Sequence, residues 1–346
     1  MESSATLRIL AVGDSYMPSR YFRRAFAALD GHVVRYADVH DAPPPRTPTR
    51  SEAKLREYQG SPDDVIARMD GVDVLVVHGA PVTDAVLDAS AALKLVCCAR
   101  GGPVNVDVEA ATERGVPLTL APGRNADAVA DLTIAFLVML ARGIPKAQRF
   151  LDDGGHLKDN WEGARFIGSD LRSHALGLVG FGNVGRRVAL RARAFGMQVL
   201  AYDPYAEAVD GAEPVDSLEE LLARADYVSL HARATRENQN LFDAARFVQM
   251  KPGALFVNTA RESLVDEDAL DAALASGHVG GAALDVVHTG AAPGRHRLLR
   301  HENVVMTPHL GGATQETLAQ GAEMLAEEIV RFAAGEPLLH VLNGAR

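Results

Sequence analysis

Three glycines, Gly180, Gly182 and Gly185, stand in a G-x-G-x-x-G spacing directly after the apolar run 175–180 and directly before a segment of helical period, 184–195. A strand, a glycine turn and a helix in that order bring backbone N–H groups and the positive end of a helix dipole to one point, which is how a protein holds a pyrophosphate. Gly180 serves the tight turn, Gly182 leaves room for the phosphates to approach the backbone, and Gly185 lets helix and strand pack closely, while Asn183 and Val184 open the helix. Asp203 follows Gly185 by 18 residues, at the end of the next apolar run. A carboxylate there accepts from the ribose hydroxyls of an adenosine half and repels a 2′-phosphate. Alone, Asp203-Pro204 reads equally as a turn closing a strand; together, these residues imply a dinucleotide site that prefers NAD to NADP.

Composition narrows the rest. The chain has 346 residues, 47% of them apolar and 23% charged, enough for two globular domains and unlike a disordered or fibrous protein. A formal net charge of −10 argues against nucleic acid and anionic membrane as partners but not against a small anionic substrate, because a few local arginines set the potential of a pocket. Cys97 and Cys98, the only cysteines, are adjacent and cannot form an ordinary disulfide. No ligand spacing for a metal occurs. The start of the chain lacks a signal pattern, and the longest apolar run, 132–141, is about half a membrane span, so a cytoplasmic protein is expected.

Those residues need elements to hold them. Apolar runs alternate with helical periods at 7–13, 20–29, 33–37, 62–69, 72–77, 84–90, 93–99, 106–114 and 117–120, and strands apolar on both faces mean a parallel sheet covered by helices. The stretch 41–50, with four prolines, is a loop. A single long helix is predicted over 125–152, apolar nearly all round. A second series follows at 175–180, 184–195, 198–202, 218–223, 227–231, 254–258, 267–275, 281–287 and 304–306, then a last helix over 316–334, with the tail 336–346 returning to the first domain. The fold class is therefore α/β, with two doubly wound parallel-sheet domains. With the tail on the first domain, we expect residues 1–121 plus 315–346 to form one domain and residues 122–314, which carry the nucleotide motif, the other.

The second half resembles the D-isomer-specific 2-hydroxyacid dehydrogenases, the family of phosphoglycerate, glyoxylate, formate and phosphite dehydrogenases. The matching stretches are Gly177 to Gly185, Asn258-Thr259-Ala260-Arg261 with Leu264-Val265-Asp266, Gly281 to Val286, and Thr307-Pro308-His309-Leu310-Gly311-Gly312. Weaker matches at 109–115 and 130–133 extend the likeness over almost the whole chain. The resemblance implies a Rossmann NAD domain, a flavodoxin-like substrate domain, a cleft between them, and a homodimer formed through the helix after Asn125. It implies hydride transfer between NAD(H) and a small 2-hydroxy or 2-keto acid. Arg261 would hold the substrate carboxylate and polarise its carbonyl, a task suited to a guanidinium fork. His309 would be the general acid and, in reverse, the base, since imidazole changes protonation near neutral pH. Asp285 would accept from the nicotinamide carboxamide, with His231, Thr259, Ala260 and Gly311 completing the cofactor contacts. Taken singly, Arg261 reads as a surface cation, His309 as a turn residue and Asp285 as a strand-end cap.

Two departures stand out. Relatives carry a glutamate, partner to the catalytic imidazole, where this chain has Gly290, so His309 is expected to lack that carboxylate; His288 is either a substitute partner or a solvated loop residue. Arg233 replaces a proline of the family. In the first domain, Arg100-Gly101-Gly102 aligns with the loop whose backbone grips substrate, with Arg100 as an added cation, and His78 is either a substrate contact or a structural histidine. Rival functions are a dehydrogenase of a phosphonate, phosphite or sugar-acid phosphate, and a non-catalytic NAD-sensing corepressor.

Overall fold

A computed structural model describes residues 6–41, 48–155, 161–206, 208–288 and 296–344. The chain divides into two compact units, 1–124 with 314–346 and 125–313.

Unit 1 is built on β1 (Arg8–Gly13), β2 (Val33–Asp38), β3 (Val74–Val77), β4 (Leu95–Cys98) and β5 (Leu118–Leu120), with helices α1 (Arg20–Ala25), α2 (Pro62–Ile66), α3 (Asp84–Asp88) and α4 (Val108–Glu113) between them. All pairings are parallel, in the order β2-β1-β3-β4-β5. This is a flavodoxin-like order, reversing direction between β1 and β3, and such sheets bind ligands beyond the carboxyl ends of the strands at that reversal. β3 and β4 are buried at every residue, as a sheet covered on both faces requires. Ser61, Thr83 and Asp107 start α2, α3 and α4 by accepting a backbone N–H with their side chains. The last helix of the chain, α11 (Gln315–Ala333), packs on α1, β4 and β5. The tail returns beside β5: Leu120 N donates to His340 O at 3.1 Å and Leu342 N to Leu118 O at 2.9 Å. Fully buried Glu328 holds the turn before it, accepting from the N–H groups of Leu339 and His340.

Unit 2 opens with α5 (Ala126–Ala141) and α6 (Ile144–Asp152). The expected single helix is broken at Gly143, whose φ of 61° is left-handed, with Pro145 in the first turn of α6; the two axes differ by 68°. The apolar period runs on through the bend, so periodicity alone hides it, and the Gly-x-Pro punctuation is the local signal. The sheet comprises β6 (Ala175–Val179), β7 (Gln198–Tyr202), β8 (Glu213–Pro214), β9 (Tyr227–Leu230), β10 (Ala254–Asn258), β11 (Val279–Leu284) and β12 (Val304–Met306). Between them lie α7 (Asn183–Ala194), α8 (Leu218–Arg224), α9 (Ala244–Gln249) and α10 (Glu267–Ala275). The order β12-β11-β10-β9-β6-β7-β8 is the Rossmann arrangement, reversing between β6 and β9. Short α9 escaped the sequence pattern; its Phe247 packs with Phe242 and Phe256, ring centroids 5.0–5.6 Å apart, beneath the sheet. Helix α5 packs on α7, β10 and β11. No single described helix is long and apolar enough to cross a membrane.

Candidate active site

In unit 2 the sequence-selected residues gather beyond the carboxyl ends of β6, β7, β9, β10, β11 and β12. Gly180 leaves β6 with φ 99°, and a Cβ there would fall 2.6–2.8 Å from the backbone of His231 and Ala232, so the turn is closed against the far side of the strand-order reversal. A Cβ on Gly185 would lie 2.4 Å from Gly180 O, which fixes glycine where α7 crosses the turn. Gly182 differs: a Cβ there would meet no protein atom within 4 Å, so packing does not require glycine. The start of α7 at Asn183 and Val184 carries neither a side-chain cap nor an acidic residue. An open approach to an uncapped helix N-terminus fits the phosphates of a dinucleotide. Asp203 accepts from Phe181 N at 2.7 Å and Tyr205 N at 2.9 Å, tying β7 to the glycine turn while keeping acceptor capacity for ribose. His231 shares a 2.9 Å hydrogen bond with Ser229 Oγ, and burial pushes its pKa down to about 3, so its ring is neutral.

Arg261 rides on a loop clamped from below. Asn258, 1% exposed, accepts from Ala260 N and donates to Arg261 O, both at 2.9 Å, and buried Thr259 meets Thr133 of α5 at 3.2 Å. The exposed guanidinium donates only to Ala260 O, at 2.6 Å, and makes no ion pair among the described residues. His309 is held in a similar way. Asp285, 2% exposed, accepts from Thr307 Oγ1 at 2.6 Å and from Leu310 N and Gly311 N, each at 2.8 Å. Gly311 is fixed by this grip, since a Cβ would stand 2.7 Å from the carboxylate. His309, at the apex, is exposed and left-handed at φ 56°, a conformation that non-glycine residues keep only when their surroundings impose it. Its ring has no hydrogen-bond or ion-pair partner among the described residues.

Asp285 gives three of about four acceptor sites to the 307–311 loop, which positions His309, and keeps one. Among the described residues His288 makes no hydrogen bond to His309; its backbone N donates to Glu267 Oε1. Gly290 lies outside the described residues, as does most of the 41–50 loop. Arg233 is exposed, on a loop tied by Asn238.

In unit 1, Gly101 and Gly102 follow β4, and a Cβ on either would meet nothing nearer than 3.9 Å, leaving their backbone approachable. Arg100 does not offer a bare cation: it donates to Glu57 O at 2.8 Å and Glu57 Oε2 at 2.6 Å. His78 is buried and joins a hydrogen-bonded chain, its Nδ1 2.8 Å from Asp14 Oδ2 and its Nε2 3.2 Å from Arg124 Nη2. Burial alone would raise the Asp14 pKa, but hydrogen bonds from His78, Met17 and Gly79 outweigh it and hold the carboxyl below its usual range. Burial pushes His78 downward. Cys97 and Cys98 pack inside β4, with burial pushing their thiols up to about 12 and about 11. Asp14 and Arg124 were not singled out from sequence, though both follow a strand end, and Asn258 and Thr307 were named within the motifs without a role. Among the described residues no cluster suited to a metal ion occurs.

Residues 134–311 match the family model described as "D-isomer specific 2-hydroxyacid dehydrogenase, NAD binding domain". D-3-phosphoglycerate dehydrogenase of Methanocaldococcus jannaschii is 38% identical over 81% of this chain and 53% of its own length. Glyoxylate reductase of Thermococcus litoralis is 38% identical over 81% of this chain and 86% of its own. The solved structure of the TT0316 protein from Thermus thermophilus superposes with a TM-score of 0.78 at 33% identity, covering 97% of this chain and all of that one. The chain spans about half the length of the phosphoglycerate dehydrogenases it matches.

Proposed function

Because this chain belongs to the D-isomer-specific 2-hydroxyacid dehydrogenase family and carries its NAD-binding domain, we propose that it transfers a hydride between NAD(H) and a small 2-hydroxy or 2-keto acid. One observation carries the reading. Arg261 and His309 project, without ion-pair partners among the described residues, from two loops that buried Asn258 and Asp285 hold at the same sheet edge as the glycine turn. The Arg261 fork binds the substrate carboxylate and polarises the adjacent carbonyl. His309 delivers a proton to the carbonyl oxygen in reduction and removes it from the hydroxyl in oxidation. Gly180, Gly182, Gly185, Asn183 and Val184 hold the pyrophosphate, Asp203 the adenosine ribose, and His231, Thr259, Ala260 and Gly311 line the rest of the dinucleotide path. When bound, the nicotinamide supplies or accepts the hydride. Gly101 and Gly102 offer backbone N–H groups to a small anionic substrate.

The protein acts in the cytoplasm as a homodimer. Ile144, Leu151, Trp161 and Ile167, exposed between α5 and β6, supply the apolar contact surface, and two buried free thiols suit a reducing compartment. The direct test is oxidation of NADH and NADPH by the purified protein over a panel of 2-keto acids. Turnover of at least one, with NADH preferred, is expected; no turnover of any 2-keto acid, with no NAD reduction by the matching hydroxy acids, overturns the reading.

A further inference from the structure

The carboxyl edge of the unit 1 sheet holds two cations in different electrostatic states. Arg100 is matched by Glu57. Arg124, in the loop after β5, is not: Nη2 donates to His78 Nε2 at 3.2 Å, Nη1 makes a long 3.4 Å contact with Thr317 O, and among the described residues no carboxylate lies within ion-pair distance. Two of its five N–H donors are thus engaged. Burial, which penalises the charged form, holds its pKa below the usual arginine range, against the opposing pull of Tyr16, Cys98 and Asp14, while Arg100 close by adds repulsion.

The surroundings fix this guanidinium in place. Asp14 accepts from the backbone of Tyr16, Met17 and Gly79 and faces His78 Nδ1. With Asp14 ionised, His78 keeps its proton on Nδ1 and turns Nε2 to Arg124 as an acceptor. The Tyr16 ring stacks on the imidazole, centroids 5.4 Å apart. Across α11, a Cβ on Gly321 would stand 2.9 Å from Arg124 Cδ, so glycine there makes room for the arginine stem. Asp14 and His78 also close the strand-order reversal between β1 and β3, where sheets of this order take ligands. An oriented, partly buried guanidinium with donors to spare and no directly paired carboxylate among the described residues gains stability when a ligand supplies the anion.

We propose that Arg124 binds a carboxylate or phosphate of a small ligand and thereby selects 2-keto and 2-hydroxy acids that carry a second anionic group. The selection rests on the dehydrogenase reading above; the anion site does not. Asp14 and His78 are positioning residues for it.

Two measurements test this separately. In turnover, the kcat/KM ratio of a dianionic 2-keto acid to glyoxylate should fall about 10- to 100-fold in Arg124→Gln, the value of one charge-assisted contact. Oxaloacetate represents a second carboxylate and 3-phosphohydroxypyruvate a phosphate; the one that loses more identifies the group. Arg124→Lys, which keeps the charge, should recover part of the ratio, and His78→Gln should raise KM for the dianion more than it lowers kcat. An unchanged ratio in Arg124→Gln overturns the proposal. Without turnover, malonate or inorganic phosphate should raise the melting temperature of the wild type more than that of Arg124→Gln, and equal protection overturns the anion site. Arg124-dependent protection in a protein that turns over no 2-keto acid contradicts the dehydrogenase reading while upholding the site.

Discussion

The two sheets meet the same problem, holding polar side chains beyond the carboxyl ends of parallel strands, and solve it in opposite ways. In unit 2 the buried groups, Asn258 and Asp285, bind backbone and leave the reactive side chains outside: Arg261 and His309 are exposed and unpaired among the described residues. In unit 1 the functional groups bond to one another, Asp14 to His78 to Arg124, with Asp14 and His78 buried and Arg124 partly so. Chemistry that moves a proton needs a side chain whose partner is the substrate; recognition of a fixed charge needs one whose orientation is settled in advance.

Losing the proton-transfer group is the severest way to break this comparison. His309→Gln should lower kcat by about 10²–10⁴, the span of general acid–base catalysis, with cofactor affinity kept. Asp285→Asn should follow with a smaller loss, because its amide sets a donor against the N–H of Leu310 or Gly311 and releases the loop; steady-state kinetics beside cofactor titration separates the two. Full activity in Asp285→Asn would deny that the loop positions His309.

The glycines sharpen the contrast between packing and binding. Gly185→Ala forces a Cβ against Gly180 O and should cost about 1–3 kcal/mol of stability. Gly182→Ala meets no protein atom, so its stability should stay within about 0.5 kcal/mol while NAD affinity drops. Denaturant titration and calorimetry read both, and unchanged NAD affinity in Gly182→Ala would contradict the proposed pyrophosphate path.

Near neutral pH the last effect is silent, because it lies on the acid limb of stability. Folded, His231 titrates at about 3; unfolded, it takes up a proton near its ordinary value of ~6.5. Stability should therefore decline as pH falls below about 6.5, with Asp14, whose folded pKa is depressed, adding a further loss as pH falls through its own lower range. Melting temperature against pH for wild type and His231→Gln checks this. The variant should show a shallower slope between about pH 6 and 4, and an unchanged slope would mean that the ring is solvated.

How far the sequence could be read follows the same division. Unit 2 was legible because its devices are local: a strand, a glycine turn, a helix, and short motifs just past strand ends. What escaped there was the work of Asp285, since its partners lie 22–26 residues away in sequence and the motif marks the residue without its bonds. The bend at Gly143 escaped because an apolar period is blind to one left-handed residue. In unit 1, Asp14 and His78 are 64 residues apart and His78 and Arg124 are 46 apart, so neither spacing nor composition announces their chain. Arg100, which reads as a binding cation, is matched by Glu57 from a different segment.

The central claim is that the exposed fork of Arg261 both holds and polarises the substrate, and Arg261→Lys tests it most directly in the reduction of whichever 2-keto acid the wild type turns over. A point charge cannot reproduce bidentate geometry, so KM should rise and kcat should fall together, with kcat/KM lower by about 10- to 100-fold. A lysine variant with wild-type kcat and KM would remove Arg261 from the chemistry and contradict the account.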